Sequence, residues 1–132
     1  GGLIAHKITS VSGSSAYFLG SVVAYDNAVK MHELGVTDQN LTDFGAVSEQ
    51  VVRQMAEGVR KKLKTDYSIA TSGVAGPTGG TEEKPVGTVW IAVAGPVETV
   101  AKKYQFGHDR GRNIEISANT ALNMLRKQLK IA

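Results

Sequence analysis

The chain has 132 residues and a net charge of +3, from 15 basic and 12 acidic side chains. That is enough for one domain with a proper core, and too weakly basic to argue for nucleic acid. It has no cysteine, which excludes a disulfide framework, thiol catalysis and a cysteine-ligated metal. His6, His32 and His108 show no metal-ligand spacing. No run approaches the roughly 20 apolar residues that span a bilayer, and no signal peptide is visible, so a cytoplasmic protein without a membrane partner is expected.

Leu3, Ile4 and Ile8 fall on one face of a helix predicted from Gly1 to about Ser10, which the Ser12-Gly13-Ser14-Ser15 cluster ends. Phe18 to Tyr25 is a continuous apolar and β-branched run, the pattern of a strand buried on both faces. A short helix follows, with Asn27 as N-cap and Gly35 just past its end. Ser48 caps a longer helix that sets Val51, Val52, Met55, Val59 and Leu63 on one stripe. Its end carries Arg60-Lys61-Lys62-Lys64, where the helix dipole favours cations.

Strands are predicted at Tyr67–Thr71 and Gly87–Ala94, and an edge strand guarded by Lys102 and Lys103 at Val97–Phe106. A last helix runs from about Arg112 to Lys130, with Ile114, Ala118, Ala121, Leu122, Leu125 and Leu129 at helical spacing. The order of elements describes a single α/β domain over residues 1–132: a three-layer α/β/α sandwich with a mostly parallel mixed sheet and one antiparallel edge strand. From composition alone, Gly1-Gly2 reads as the remnant of a tag, since a strand-to-helix turn would be expected there.

Between the first two of these last strands lies Thr71-Ser-Gly-Val-Ala-Gly-Pro-Thr-Gly-Gly80. Glycine removes the Cβ that keeps a ligand from backbone N–H groups, and such a loop at a strand's carboxyl end can form an anion-binding nest. The even spacing of Gly73, Gly76 and Gly79 does not fit the dinucleotide fingerprint, and no G-K-[ST] is present. Lys30, three residues after the proposed N-cap, faces the positive end of a helix dipole. Partial burial there would make it a general base, although an ordinary exposed lysine fits the same spacing. Tyr25 could border the same cleft or simply lie at the surface of the core. Ser72 could meet a ligand or cap a turn. Arg110 could clamp a phosphate at a helix start or pair with Asp109.

Together these segments resemble the C-terminal domain of competence/damage-inducible protein CinA, a family that includes nicotinamide mononucleotide deamidases. Gly1-Gly2-Leu3-Ile4-Ala5 is similar to the tail of the family's E-S-C-T-G-G-x-x-A segment. Tyr25-x-Asn27-x-x-Lys30 with Leu34-Gly35-Val36, and Gly45-Ala46-Val47-Ser48, match further family stretches. The most specific match is Ser72-Gly73-Val74-Ala75-Gly76-Pro77-x-Gly79-Gly80 with Lys84-Pro85-Val86-Gly87-Thr88-Val89. Phe106…Asp109-Arg110 resembles F-x-G-D-R with His108 in place of a glycine, and Ile114 stands where the family usually has a second arginine, for which Arg112 could substitute.

The resemblance implies a serine/lysine amidohydrolase that converts nicotinamide mononucleotide to nicotinic acid mononucleotide and ammonia, without a cofactor or metal and as a homodimer. Lys30 would be the base, with Tyr25 and Ser72 assisting. Gly1, Gly2, Gly73, Ala75, Gly76, Pro77, Gly79, Gly80, Arg110 and Arg112 would hold the mononucleotide. The resemblance also reads Gly1-Gly2 as native sequence, with the nucleophilic serine and a first strand expected upstream of it. A non-catalytic nucleotide-binding or regulatory module is the alternative.

Overall fold

The computed structural model describes residues 1–130. The elements are α1 (Leu3–Thr9), a 3-10 turn (Ser14–Ala16), α2 (Asn27–Leu34), α3 (Asp38–Phe44), α4 (Glu49–Leu63), β1 (Ser68–Gly73), β2 (Thr88–Ala94), β3 (Thr99–Gln105) and α5 (Arg110–Gln128). Helix starts follow local hydrogen bonding. Asp26 caps α2 by accepting from the Ala28 N–H at 2.9 Å, so the cap lies one residue before the predicted Asn27. Gly35 closes that helix in the left-handed conformation. Thr37 caps α3, a short polar helix without the apolar stripe that would have betrayed it in the sequence.

Ser48 caps α4 as predicted, accepting from the Val51 N–H at 3.3 Å while its hydroxyl donates to the Gly45 carbonyl at 2.8 Å. Ser48→Ala is expected to cost about 1 kcal/mol, seen as a drop of a few degrees in Tm by calorimetry. An unchanged Tm would show that water replaces both bonds.

The sheet has the order β1-β2-β3. Both pairings are antiparallel, with Ser68 opposite Ala94, and Thr88 opposite Gln105. The mostly parallel sheet expected from the sequence is therefore not found among the described residues. The connection between β1 and β2 carries the glycine loop and no helix, so it cannot make the crossover that parallel strands need.

Alternation along β2 divides the core. Ala92 and Ala94 join Ala70, Val51, Val52, Met55 and Ala56 under α4. Val89 and Ile91 face the other way, toward Ala121 of α5, Ile4 and Ile69. The alanines on the first face let α4 lie close to the sheet, and α2 packs on α4 in turn.

Phe18–Tyr25 does not form the predicted strand. It is extended but belongs to no ladder among the described residues. Phe18, Val22 and Ala24 are half-buried, whereas Leu19 (68% exposed), Val23 (55%) and Tyr25 (79%) face outward. The two-sided apolar pattern is real, but a strand needs a neighbour to pair with, and pattern alone does not supply one. β1 likewise pairs only with β2 among the described residues.

Candidate active site

Between the extended segment and the unpaired side of β1 lies a groove of about 960 Å³. Phe18–Ala24 and Ser68–Gly73 flank it, and Ile4, Ile8, Leu34, Met55, Leu122 and Leu125 give it a largely apolar lining. Its lining also includes Gly1, Gly2, Tyr25, Lys30, Ser72, Gly73 and Arg110. All seven were candidates from the sequence, Gly1 and Gly2 through the family resemblance alone, and they share one cavity.

Lys30 sits in the first turn of α2 and is only 7% exposed. Its ammonium donates to the Tyr25 carbonyl at 3.2 Å. Burial pushes its pKa below the ordinary 10.5, and the carboxylate of Asp26 pulls it partway back. The exposed-lysine alternative is thereby set aside. A buried amine that gives up its proton more easily than a free lysine is suited to general-base work. Tyr25 meets Lys30 through its backbone, while its ring stands 79% exposed.

The Ser72 hydroxyl donates to the Ala46 carbonyl at 2.7 Å, tying the end of β1 to the segment that leads into α4. Arg110, at the start of α5, donates from Nη1 to the Gly76 carbonyl at 2.8 Å. Arg112 is exposed and does not line the groove. Its backbone N–H is capped by Asp109 instead. Of the two arginines, Arg110 is the one the fold brings to the cleft.

The glycine loop beyond Gly73 does not line the groove. Val74 extends the β1–β2 pairing by exchanging bonds with Thr88 and Gly87. Gly76 then turns with φ +88°, followed by a cis bond to Pro77. A side chain at Gly76 would be strained by that φ and would press on Val86. Lys84 reaches across from the far arm of the loop and donates to the Phe44 carbonyl.

Sequence reasoning passed over Asn113, which is 2% exposed and fully hydrogen-bonded between α5 and the loop. Its signal was available: an asparagine two turns before Ala121, on the buried face of a helix, is poorly placed unless its amide has partners. Among the described residues, no cluster of His, Asp or Glu could hold a metal ion, and no helix is long and apolar enough to cross a membrane.

Fold and site together define an α/β domain with a groove lined by a buried lysine, a strand-end serine and the arginine that tethers the glycine loop. The family profile described as CinA C-terminal domain matches residues 1–129, and the chain belongs to that family. A CinA-like protein of Salinibacter ruber is 53% identical over 131 residues, covering 99% of this chain and 32% of its own length. One from Cytophaga hutchinsonii is 51% identical over 130 residues, covering 98% and 31%. The chain thus spans about a third of the length of these relatives.

Among solved structures, the competence/damage inducible protein CihA of Agrobacterium tumefaciens is 39% identical with a TM-score of 0.93, over 95% of this chain and 77% of that one. The competence damage-inducible protein A of Klebsiella pneumoniae is 31% identical with a TM-score of 0.94, over 99% and 81%.

Proposed function

We propose that the full-length protein hydrolyses the carboxamide of nicotinamide mononucleotide, giving nicotinic acid mononucleotide and ammonia through a serine ester. The observation that carries this reading is Lys30: a buried lysine with a lowered pKa, in a cleft it shares with Ser72, Gly73 and Arg110. In this reading the nucleophile is the serine of the family's E-S-C-T-G-G segment, whose glycines align with Gly1 and Gly2.

In the first step the neutral Lys30 amine takes the serine hydroxyl proton as the oxygen bonds to the carboxamide carbon. The C–N bond then breaks, and the Lys30 ammonium returns that proton to the leaving nitrogen, releasing ammonia. Water attacks the ester with Lys30 again taking a proton, and the serine leaves with it restored. Ser72 orients the substrate from the end of β1. Arg110 and the glycine loop hold the phosphate, for which a guanidinium and free backbone N–H groups are suited.

Full-length protein incubated with nicotinamide mononucleotide is expected to release ammonia in equal amount to nicotinic acid mononucleotide, measured by coupled assay and chromatography. Absence of turnover at high enzyme concentration would sink the reading. Binding of the mononucleotide without turnover would favour the non-catalytic module instead.

A further inference from the structure

We propose that Asn113 is a positioning residue that turns the Gly76 N–H toward the ligand side of the glycine loop. The Asn113 amide has both donors and its acceptor engaged. Nδ2 donates to the Ala75 carbonyl and to the Gly107 carbonyl, each at 3.0 Å, and Oδ1 accepts from the Gly107 N–H at 3.1 Å. The opposite amide orientation would set its oxygen against two carbonyl oxygens, so the network fixes which way the group faces.

One side chain therefore clamps the turn before α5 to the glycine loop. A trans peptide is planar, and its C=O and N–H point in opposite directions. Holding the Ala75 carbonyl toward α5 thus turns the Gly76 N–H away from α5. Arg110 holds the next carbonyl, that of Gly76, whose peptide bond to Pro77 carries no N–H to orient.

The outcome is visible in the hydrogen-bond inventory of the loop. Its Ala75 and Gly76 carbonyls are taken by α5 side chains. Among the described residues, the N–H groups of Ala75, Gly76, Thr78, Gly79 and Gly80 have no acceptor. At Ala75 and Gly76 the acceptors are tied down and the donors left open, a local arrangement prepared for an anion. Asn113 creates that asymmetry without being part of the binding surface itself. The ligand assignment rests on the mononucleotide reading above; the positioning of the loop does not.

Asn113→Asp keeps the volume and the acceptor but cannot, when ionised, donate to either carbonyl. Asn113→Ala removes all three bonds without burying a charge, and stands in should the aspartate variant fail to fold. In the full-length protein, hydrogen exchange of the loop's hydrogen-bonded amides, Val74, Thr81 and Gly87, is expected to speed up about tenfold or more, with β2 and α4 protected as in the wild type. Affinity for nicotinic acid mononucleotide, measured by calorimetry, is expected to weaken about tenfold.

Loop exchange that stays at the wild-type rate in the folded variants would overturn the proposal. So would exchange that rises equally across β2 and α4, since that marks general destabilisation. If the wild type binds no mononucleotide while loop exchange still responds locally, the function reading fails and the positioning role stands.

Discussion

Lys30→Met in the full-length protein is expected to lower turnover of nicotinamide mononucleotide by about a thousandfold or more, the loss typical of removing a positioned base. Methionine preserves most of the stem that occupies this 7%-exposed position in α2, so the fold should survive. The pH behaviour separates this from a loss of packing. Because burial holds the Lys30 pKa below 10.5, the neutral base forms at lower pH than a free lysine allows. The rate should climb with pH through that lowered value and level off before the ordinary one.

Stability should follow the same sign. Between the lowered folded pKa and 10.5, the unfolded chain binds more protons at Lys30 than the native one. Stability therefore rises with pH across that window. Below it the buried charge is a standing cost, partly offset by Asp26. Lys30→Met removes the titration, so the variant should match or exceed the wild type in Tm at neutral pH and lose this slope. Turnover within tenfold of the wild type would show that Lys30 is not the base. A collapse in Tm would show that its role is structural.

What could be read from the sequence depended on whether the information was local. The stripes of α4 and α5 repeat at helical spacing because each buries one face, and both helices lie within a few residues of their predicted ends. The apolar run of β2 was equally plain, since Ile91, Ala92 and Val93 are buried between helices on both faces. Strand direction was not legible in those residues, because a buried strand looks the same whichever way its neighbour runs. Phe18–Tyr25 was misread for a different reason: its apolar run is present, but the run alone does not supply a neighbour to pair with.

At the site, Lys30, Ser72 and Arg110 stood out by their places at a helix start or strand end, the motif resemblance gave them roles, and the cavity they share required the fold. Arg112 and Arg110 are close in sequence, but a turn of helix sends them to different surroundings. Asn113 was missed because its work is done by an amide facing inward, where sequence reasoning expects apolar side chains.

Gly58→Ala tests a long-range dependence of the site that no motif records. Gly58 lies inside α4, where alanine would ordinarily stabilise by about 1 kcal/mol through helix propensity. Here α2 ends directly against it. A Cβ at Gly58 would overlap the Leu34 carbonyl, with the Leu34 carbonyl carbon at 2.6 Å and its Cα at 3.1 Å. These are backbone atoms, so no rotamer change relieves the contact; one helix must move. The expected result is a loss of about 2 to 4 kcal/mol in chemical denaturation, opposite in sign to the propensity gain.

The displaced helix carries the lysine. Leu34 is one turn beyond Lys30, and the turn after α2 is closed by the Gly35 and Val36 N–H groups donating to the Met31 and Lys30 carbonyls. A shift at Leu34 is thus passed to Lys30 through a rigid, capped helix. Misplacing a reacting group by about 1 Å can cost a hundredfold in rate, so turnover should fall even where Gly58→Ala remains fully folded. A variant as stable as the wild type would disprove the close packing of α2 on α4. A folded but destabilised variant with full turnover would show that Lys30 is held by its own bond to Tyr25 rather than by the seat of its helix.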